Sequence, residues 1–333
     1  ILMKNILICG ATGFIGRNLV HYFSSKNSFQ VHAVKHKKDS YKVPNACNKV
    51  IWHDADLLSL DDVSRVLKNV DIVIQAAATT SGAKDIVNRP YIHVTDNAIM
   101  NSLLLRQAME YGVKHFIFFS CTVMYQSSQI PIKESDWSPS QTINERYFGV
   151  ANTKIYIEKM LEFYANISDM KTTAIRHSNI YGPYDKFDLE RSHVFGATIT
   201  KVLKAKESIV VWGTGEEERD LLYIDDLCDF TNLAITNQKS RYRLYNCGLG
   251  KSISIKSLVH KIVNESSKNL DINHDTSKPT IKTSLSLNCS LAKDELGWEP
   301  NTTLEDGIKK TINWWKNNID PSTLLIRSES TKN

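Results

Sequence analysis

No CxxC pair occurs among the six cysteines, at positions 9, 47, 121, 228, 247 and 289, and none is spaced with histidine as a metal site requires. That excludes a zinc module and a disulfide scaffold, so the thiols are expected to be reduced and mostly buried, with no metal bound. No apolar run approaches the roughly 20 residues needed to span a bilayer, which removes any transmembrane helix from the expectation. A net charge of +5 spread over 333 residues supplies no concentrated basic face, so nucleic acid is not an expected partner. There is no internal repeat and no low-complexity segment. Met3-Lys4-Asn5 leads directly into an apolar run without a leader pattern; Ile1 and Leu2 read as an extension upstream of the natural start, and the protein as cytoplasmic.

What is present begins at once. Asn5 to Cys9 forms a buried-type strand that runs into Gly10-Ala-Thr12-Gly13-Phe14-Ile15-Gly16, followed by an amphipathic helix from Phe14 and a second strand at Gln30 to Val34. In such a β-α-β unit the first glycine permits the turn and the second admits a pyrophosphate. The third lets the helix pack on the strand, and the helix N-terminus faces the phosphate charge. Further strands are expected at Lys49 to Trp52, Ile72 to Gln75, His115 to Phe119 and Thr172 to Ile175, with helices at Asp61 to Leu67, Thr95 to Tyr111 and Val150 to Ala165. Alternation of short apolar runs with helical patterns predicts an α/β fold, a Rossmann-type doubly wound parallel sheet. Small side chains at Ala76, Ala77 and Ala78 would let the end of the fourth strand approach the cofactor.

After Tyr181-Gly182-Pro183 the rhythm changes: a helix over His193 to Ala205, a strand over Ile209 to Trp212, a Gly213-Thr-Gly215 turn, and candidate strands Leu221 to Tyr223 and Leu244 to Asn246. The expected organisation is a cofactor domain over 1–178, a smaller C-terminal α/β substrate-binding region over 179–320 with segments returning to the core, and a tail over 321–333. Leu221 to Tyr223 is the segment expected to rejoin the main sheet, and Trp314-Trp315 gives the terminal helix an aromatic core face.

Taken in order, GATGFIG, the Ala76–Ala78 run, Ser120-Cys-Thr-Val-Met-Tyr125, Lys154 with Glu158, Asn179-Ile-Tyr-Gly-Pro183, Trp212-Gly-Thr-Gly215, Arg219 and Tyr223-Ile-Asp-Asp226 resemble the extended short-chain dehydrogenase/reductase family. Within it, the stretch from Asn179 to Phe187 and Ser192-His193-Val194 is most similar to the GDP-fucose synthase branch. The resemblance implies a nucleotide-sugar-modifying oxidoreductase, with 4-keto reduction or epimerisation of a GDP-linked deoxyhexose as the reaction. It also implies a serine or threonine and a YxxxK pair that exchange a proton at the sugar C4 oxygen.

The chain departs from that pattern at the centre. Four residues before Lys154 stands Val150, and four before Tyr125 stands Cys121. Candidate replacements are Tyr147, seven residues before Lys154, and Thr122, beside the expected hydroxyl position. On a regular helix Tyr147 would lie about 10.5 Å from Lys154 along the axis, so it needs a late or irregular helix start, which Gly149 permits; otherwise it is a packing tyrosine. Lys154 is either the cofactor lysine or half of a solvated pair with Glu158. The resemblance implies an acid/base histidine at His193, whereas its cysteine partner is replaced by Val123. These departures keep open a catalytically silent nucleotide-sugar sensor. A 4,6-dehydratase is the remaining alternative, although Thr122-Val123 stands where its acid pair would be.

At the end of the second strand stand Lys35-His36-Lys37-Lys38, where an NAD enzyme places a carboxylate; a positive tip favours the 2′-phosphate of NADP over NAD. Asp56, followed by Leu57, resembles the adenine contact, with a helix-cap role as the alternative. For the substrate, Asn179, Lys201, Trp212 and Arg219 match positions that hold the sugar, the nucleotide and its diphosphate; a salt bridge from Arg219 to Glu216, Glu217 or Glu218 is the other reading. Apolar positions in the Thr95 to Tyr111 and Val150 to Ala165 helices suggest a homodimer through a four-helix interface.

Overall fold

The computed structural model describes residues 3–37, 49–79, 89–189, 192–277 and 283–319. Ile1, Leu2, Lys38, Cys47 and the tail lie outside the described residues, together with whatever was expected of them. Seven parallel strands make the central sheet: β1 (Lys4–Cys9), β2 (Phe29–Lys35), β3 (Ile51–Asp54), β4 (Ile72–Gln75), β5 (His115–Phe119), β6 (Lys171–His177) and β10 (Tyr242–Cys247). Their spatial order is β10-β6-β5-β4-β1-β2-β3. This is the Rossmann-type doubly wound sheet.

Strand alternation explains both faces. Ile6 and Ile8 of β1 join one core while Leu7 and Cys9 join the other. Ile117 and Phe119 of β5 split from Phe116 and Phe118 in the same way. Helices α1 (Phe14–Ser24) and α6 (Ile224–Asn237) cover the first face; α2 (Leu60–Val66), α3 (Pro90–Glu110) and α4 (Phe148–Ile167) cover the second. α3 begins five residues before the expected start because Pro90 occupies its first turn, where a missing N–H costs nothing.

Leu221 to Tyr223 does not rejoin the main sheet. It lies within β9 (Glu218–Tyr223), which pairs with β7 (Asn179–Tyr181) and β11 (Ser252–Ser254) in a separate three-stranded sheet. β10 returns instead, in parallel register with β6 from Tyr242 opposite Thr172 to Cys247 opposite His177. The cap is completed by α5 (Val194–Lys204), β8 (Ser208–Trp212) paired with β12 (Asp271–Asp275), and α7 (Ile255–Ser266). α8 (Ser290–Leu296) and α9 (Leu304–Asn318) close the fold, with Trp315 buried and Trp314 packed on Phe187 and Tyr184.

Asp220, fully buried on β9, ties cap to sheet by accepting from the amides of Leu249, Gly250 and Leu287 at 2.7, 3.0 and 3.0 Å. Five cysteines among the described residues are free thiols, and three of them, Cys9, Cys228 and Cys247, are buried.

Candidate active site

The glycine turn is shaped by close approach. Gly10 has φ +71°, and a Cβ there would stand 2.7 Å from the Ala77 backbone; at Gly16 a Cβ would stand 2.0 Å from the Gly10 carbonyl oxygen. Strand and helix therefore meet at backbone contact, with Ala76 and Ala77 completing the approach. Gly13 is the N-cap of α1 and carries no side chain to cap it, and the first turn holds no acid. The leading N–H groups of α1 are thus kept for an external anion, a cradle that fits a dinucleotide pyrophosphate. Phe14 and Ile15 are half-buried against the core, and Thr12 is held by its carbonyl, which accepts from Arg17 Nε at 2.7 Å.

At the tip of β2 each basic side chain stands beside an aspartate. Lys35 pairs with Asp54 at 2.9 Å, Lys37 with Asp62 at 2.7 Å, and His36 lies 4.0 Å from Asp56. Lys37, the Asp56 amide and Arg65 together hold the Asp62 carboxyl well below the usual carboxylate range. Asp56 accepts from the Leu58 amide at 3.0 Å, a local turn, and Leu57 is buried in the core. Ala78 is exposed just beyond β4.

At the expected proton-transfer centre β5 ends at Phe119, so Cys121 and Thr122 lie on a turn and the strand alternation that would aim Thr122 away does not apply. The helix start is irregular, but not because it begins after Gly149. A 3₁₀ turn over Glu145–Tyr147, capped by the Asn144 side chain on the Arg146 amide, precedes α4 and leaves Tyr147 as its N-cap. The 3₁₀ turn changes the chain direction only before Tyr147, while regular helix runs from Phe148 through Lys154. Val150 is 40% exposed on α4.

Lys154 forms no pair with Glu158. Its Nζ donates to the Phe119 carbonyl at 2.7 Å and lies 4.6 Å from the Phe118 ring centroid, and desolvation pushes its pKa down. Glu158 is buried and bound by Arg176, Nε to Oε1 at 2.9 Å and Nη2 to Oε2 at 2.6 Å. Ser120 Oγ donates to the same carboxylate at 2.6 Å, and Arg176 Nη1 donates to the Tyr125 hydroxyl at 3.1 Å, which donates onward to Asn246 at 2.7 Å. This network clamps both ends of the Ser120–Tyr125 turn. Arg176 was not singled out from the sequence, although an arginine inside an apolar strand demands a buried partner.

Cys121 is half-buried; burial raises its thiol pKa, opposed by the nearby Lys154 charge. His193 is the N-cap of α5 and its pKa is lowered, by burial first and then by Lys186.

A cavity of about 1070 Å³ opens between the sheet ends and the cap. Thr122, Val123, Tyr147, Asn179, Lys201, Trp212 and Arg219 all line it, whereas Cys121, Lys154 and His193 do not, although Ser192 and Val194 beside His193 do. Arg219 makes no salt bridge with its neighbouring glutamates among the described residues. Its Nη1 donates to the Glu218 carbonyl at 2.8 Å and to the Thr283 hydroxyl at 2.8 Å. Lys201 holds its ammonium 5.5 Å from the Trp212 ring centroid. No group of three or more potential metal ligands, and no helix long and apolar enough to cross a membrane, occurs among the described residues.

Asp185, near the start of α5, has a buried Oδ2 with no hydrogen-bond partner, and burial raises its pKa to about 7. The folded state then holds a proton that the unfolded chain has released above the ordinary value of 3.8. Stability is accordingly lost as pH rises from about 4 to 7. Asp185→Asn is expected to raise Tm at pH 8 and leave it nearly unchanged at pH 3.5; an equal effect at both would contradict this.

The sequence profile of the NAD dependent epimerase/dehydratase family matches residues 6–248. Across nearly its whole length the chain is similar to GDP-L-colitose synthase of Yersinia pseudotuberculosis, 29% identical over 322 residues, covering 94% of this chain and 98% of that one. It is also 28% identical to GDP-L-fucose synthase of Sinorhizobium fredii over 325 residues, covering 95% and 96%. Among solved structures, UDP-glucose 4-epimerase of Thermotoga maritima with UDP-glucose superposes with a TM-score of 0.81 at 26% identity, covering 95% of this chain and all of that one. A glycine turn built for backbone contact, a seven-stranded parallel sheet and a profile spanning residues 6–248 agree: the chain belongs to the NAD dependent epimerase/dehydratase family.

Proposed function

We propose that the protein is an NADP-dependent nucleotide-sugar oxidoreductase that reduces or epimerises a 4-keto-deoxyhexose carried on a nucleoside diphosphate. The observation that carries the reading is one cavity lined by Thr122 and Tyr147 together with Lys201, Trp212 and Arg219. When bound, the nicotinamide supplies the hydride for the sugar carbonyl. Tyr147 gives the proton to the C4 oxygen, Thr122 donates a hydrogen bond to that oxygen, and Lys154 steadies the cofactor ribose. Asn179 holds the sugar, and Arg219 and Lys201 neutralise the diphosphate. Consumption of NADPH on addition of GDP-4-keto-6-deoxymannose supports this reading. Tight binding of both without turnover would favour the silent binder that Val150 and Cys121 suggest.

Preference for NADP rests on Lys35, His36 and Lys37 closing β2 where an NAD enzyme of this type places a carboxylate on the strand itself, with Asp54 and Asp62 paired to the two lysines. Lys37→Glu is expected to raise the NADPH KM about 10- to 150-fold, the worth of one charge-assisted contact, and an unchanged KM would remove the assignment. The homodimer reading rests on the outer faces of α3 and α4, where Ile99 of α3 is 43% exposed and Tyr156, Phe163 and Ile167 of α4 are 42%, 49% and 54% exposed. Sedimentation is expected to give a dimer for the native chain and a monomer for Phe163→Glu; a monomeric native chain at tens of micromolar would contradict it.

A further inference from the structure

Glu217 stands out in the cavity. Its Oε2 is buried and accepts no hydrogen bond, although the residue lines the same space as the two cations Arg219 and Lys201. The other options for that carboxylate are used up. Arg219 places its Nη1 on the Glu218 carbonyl and Thr283 and makes no pair with Glu217 among the described residues, and the neighbouring Glu218 carboxylate is bound by Ser252 and Ser284. The backbone fixes its place, since the Glu217 carbonyl accepts from the Ile255 amide at 3.0 Å and Lys256 donates to Gly215 at 2.9 Å. An acceptor held buried without a donor costs stability that a ligand donor would return.

Resting on the nucleotide-sugar reading above, we propose that Glu217 reads the nucleobase and selects guanine. A carboxylate offers acceptors only, two of them side by side. Guanine presents two adjacent donors, N1–H and the 2-amino group, which a carboxylate takes as a bidentate, charge-assisted pair. Uracil presents one donor between two carbonyl oxygens, and the carboxylate repels both. The apolar walls from Val211, Ile255 and Val259 in the same cavity suit a flat base better than a hydrated sugar.

Calorimetry on the full chain saturated with NADPH, titrated with GDP, IDP and UDP, tests this. IDP lacks only the 2-amino group. Native protein is expected to bind GDP about 10- to 100-fold more tightly than IDP, and Glu217→Gln to lose that margin while its UDP affinity stays within about twofold. Equal affinity of the native chain for GDP and IDP, or equal weakening of GDP and UDP by Glu217→Gln, would overturn the assignment and leave the nucleotide-sugar reading standing. Failure of all three nucleotides to bind a chain that still takes up NADPH would overturn both.

Discussion

Removing one oxygen atom, by Tyr147→Phe, is expected to lower kcat for 4-keto reduction at least 100-fold while the KM for the sugar changes less than threefold. A positioned general acid contributes roughly 10²- to 10⁴-fold, and a ketone that accepts a hydride must also gain a proton at oxygen. Val150 offers none, and Val123 offers none. Of the ionisable side chains named for that role, Tyr147 is the one that lines the cavity, brought there by the 3₁₀ turn that ends at the N-cap of α4. Its loss leaves Thr122 to donate a hydrogen bond but no group to surrender the proton. Steady-state rates at 340 nm with saturating NADPH check the prediction; an unchanged kcat would take Tyr147 out of the reaction and move attention to Cys121.

The second large effect concerns the buried ion pair. With side-chain exposures of 2% for Arg176 and 4% for Glu158, neither charge is solvated by water, and each is stabilised by the other. Arg176→Met leaves Glu158 with the Ser120 hydroxyl alone and is expected to cost about 3–5 kcal/mol in urea unfolding. Glu158→Gln strands the guanidinium and should cost a comparable amount. The double variant Glu158→Leu/Arg176→Met is expected to be less destabilised than the sum of its parts, by a coupling of about 1–3 kcal/mol, because it removes both charges together. Strictly additive losses would show that the pair stabilises nothing jointly. Since Ser120 and Tyr125 hang on the same network, the single variants should also lower kcat more than they raise the cofactor KM.

How much of this was legible in the chain depends on what each signal encodes. β4 and β5 match their expected bounds because a continuous apolar run flanked by polar residues marks a strand buried on both faces. Leu221 to Tyr223 and Leu244 to Asn246 are both short apolar pieces, and nothing local says which one pairs with β6; that is settled by long-range packing. The α3 start was misplaced because periodicity was followed where Pro90 already marked the first turn. The cavity residues Asn179, Lys201, Trp212 and Arg219 were carried over from the family resemblance, whose motifs keep their order in this chain even where identity is low. For Lys154 and Glu158 the sequence offered a cofactor lysine or a solvated i,i+4 pair, and only the burial of Arg176 shows where the carboxylate goes. Glu217 entered only as one of three consecutive glutamates that could pair with Arg219, since a run of acids reads as surface until one of them is seen to line a cavity.

The most direct test of the account is whether a dinucleotide lies on the first turn of α1. Gly13→Asp would place a capping carboxylate at that N-terminus, where it satisfies the helix amides itself and repels phosphate, so the fold is retained while the cradle is closed. Calorimetry is predicted to find one NADPH bound per native chain, with an affinity at least 100-fold weaker in Gly13→Asp of undiminished Tm. Uptake of neither NADPH nor NAD by well-folded native protein, or equal uptake by the variant, would contradict it.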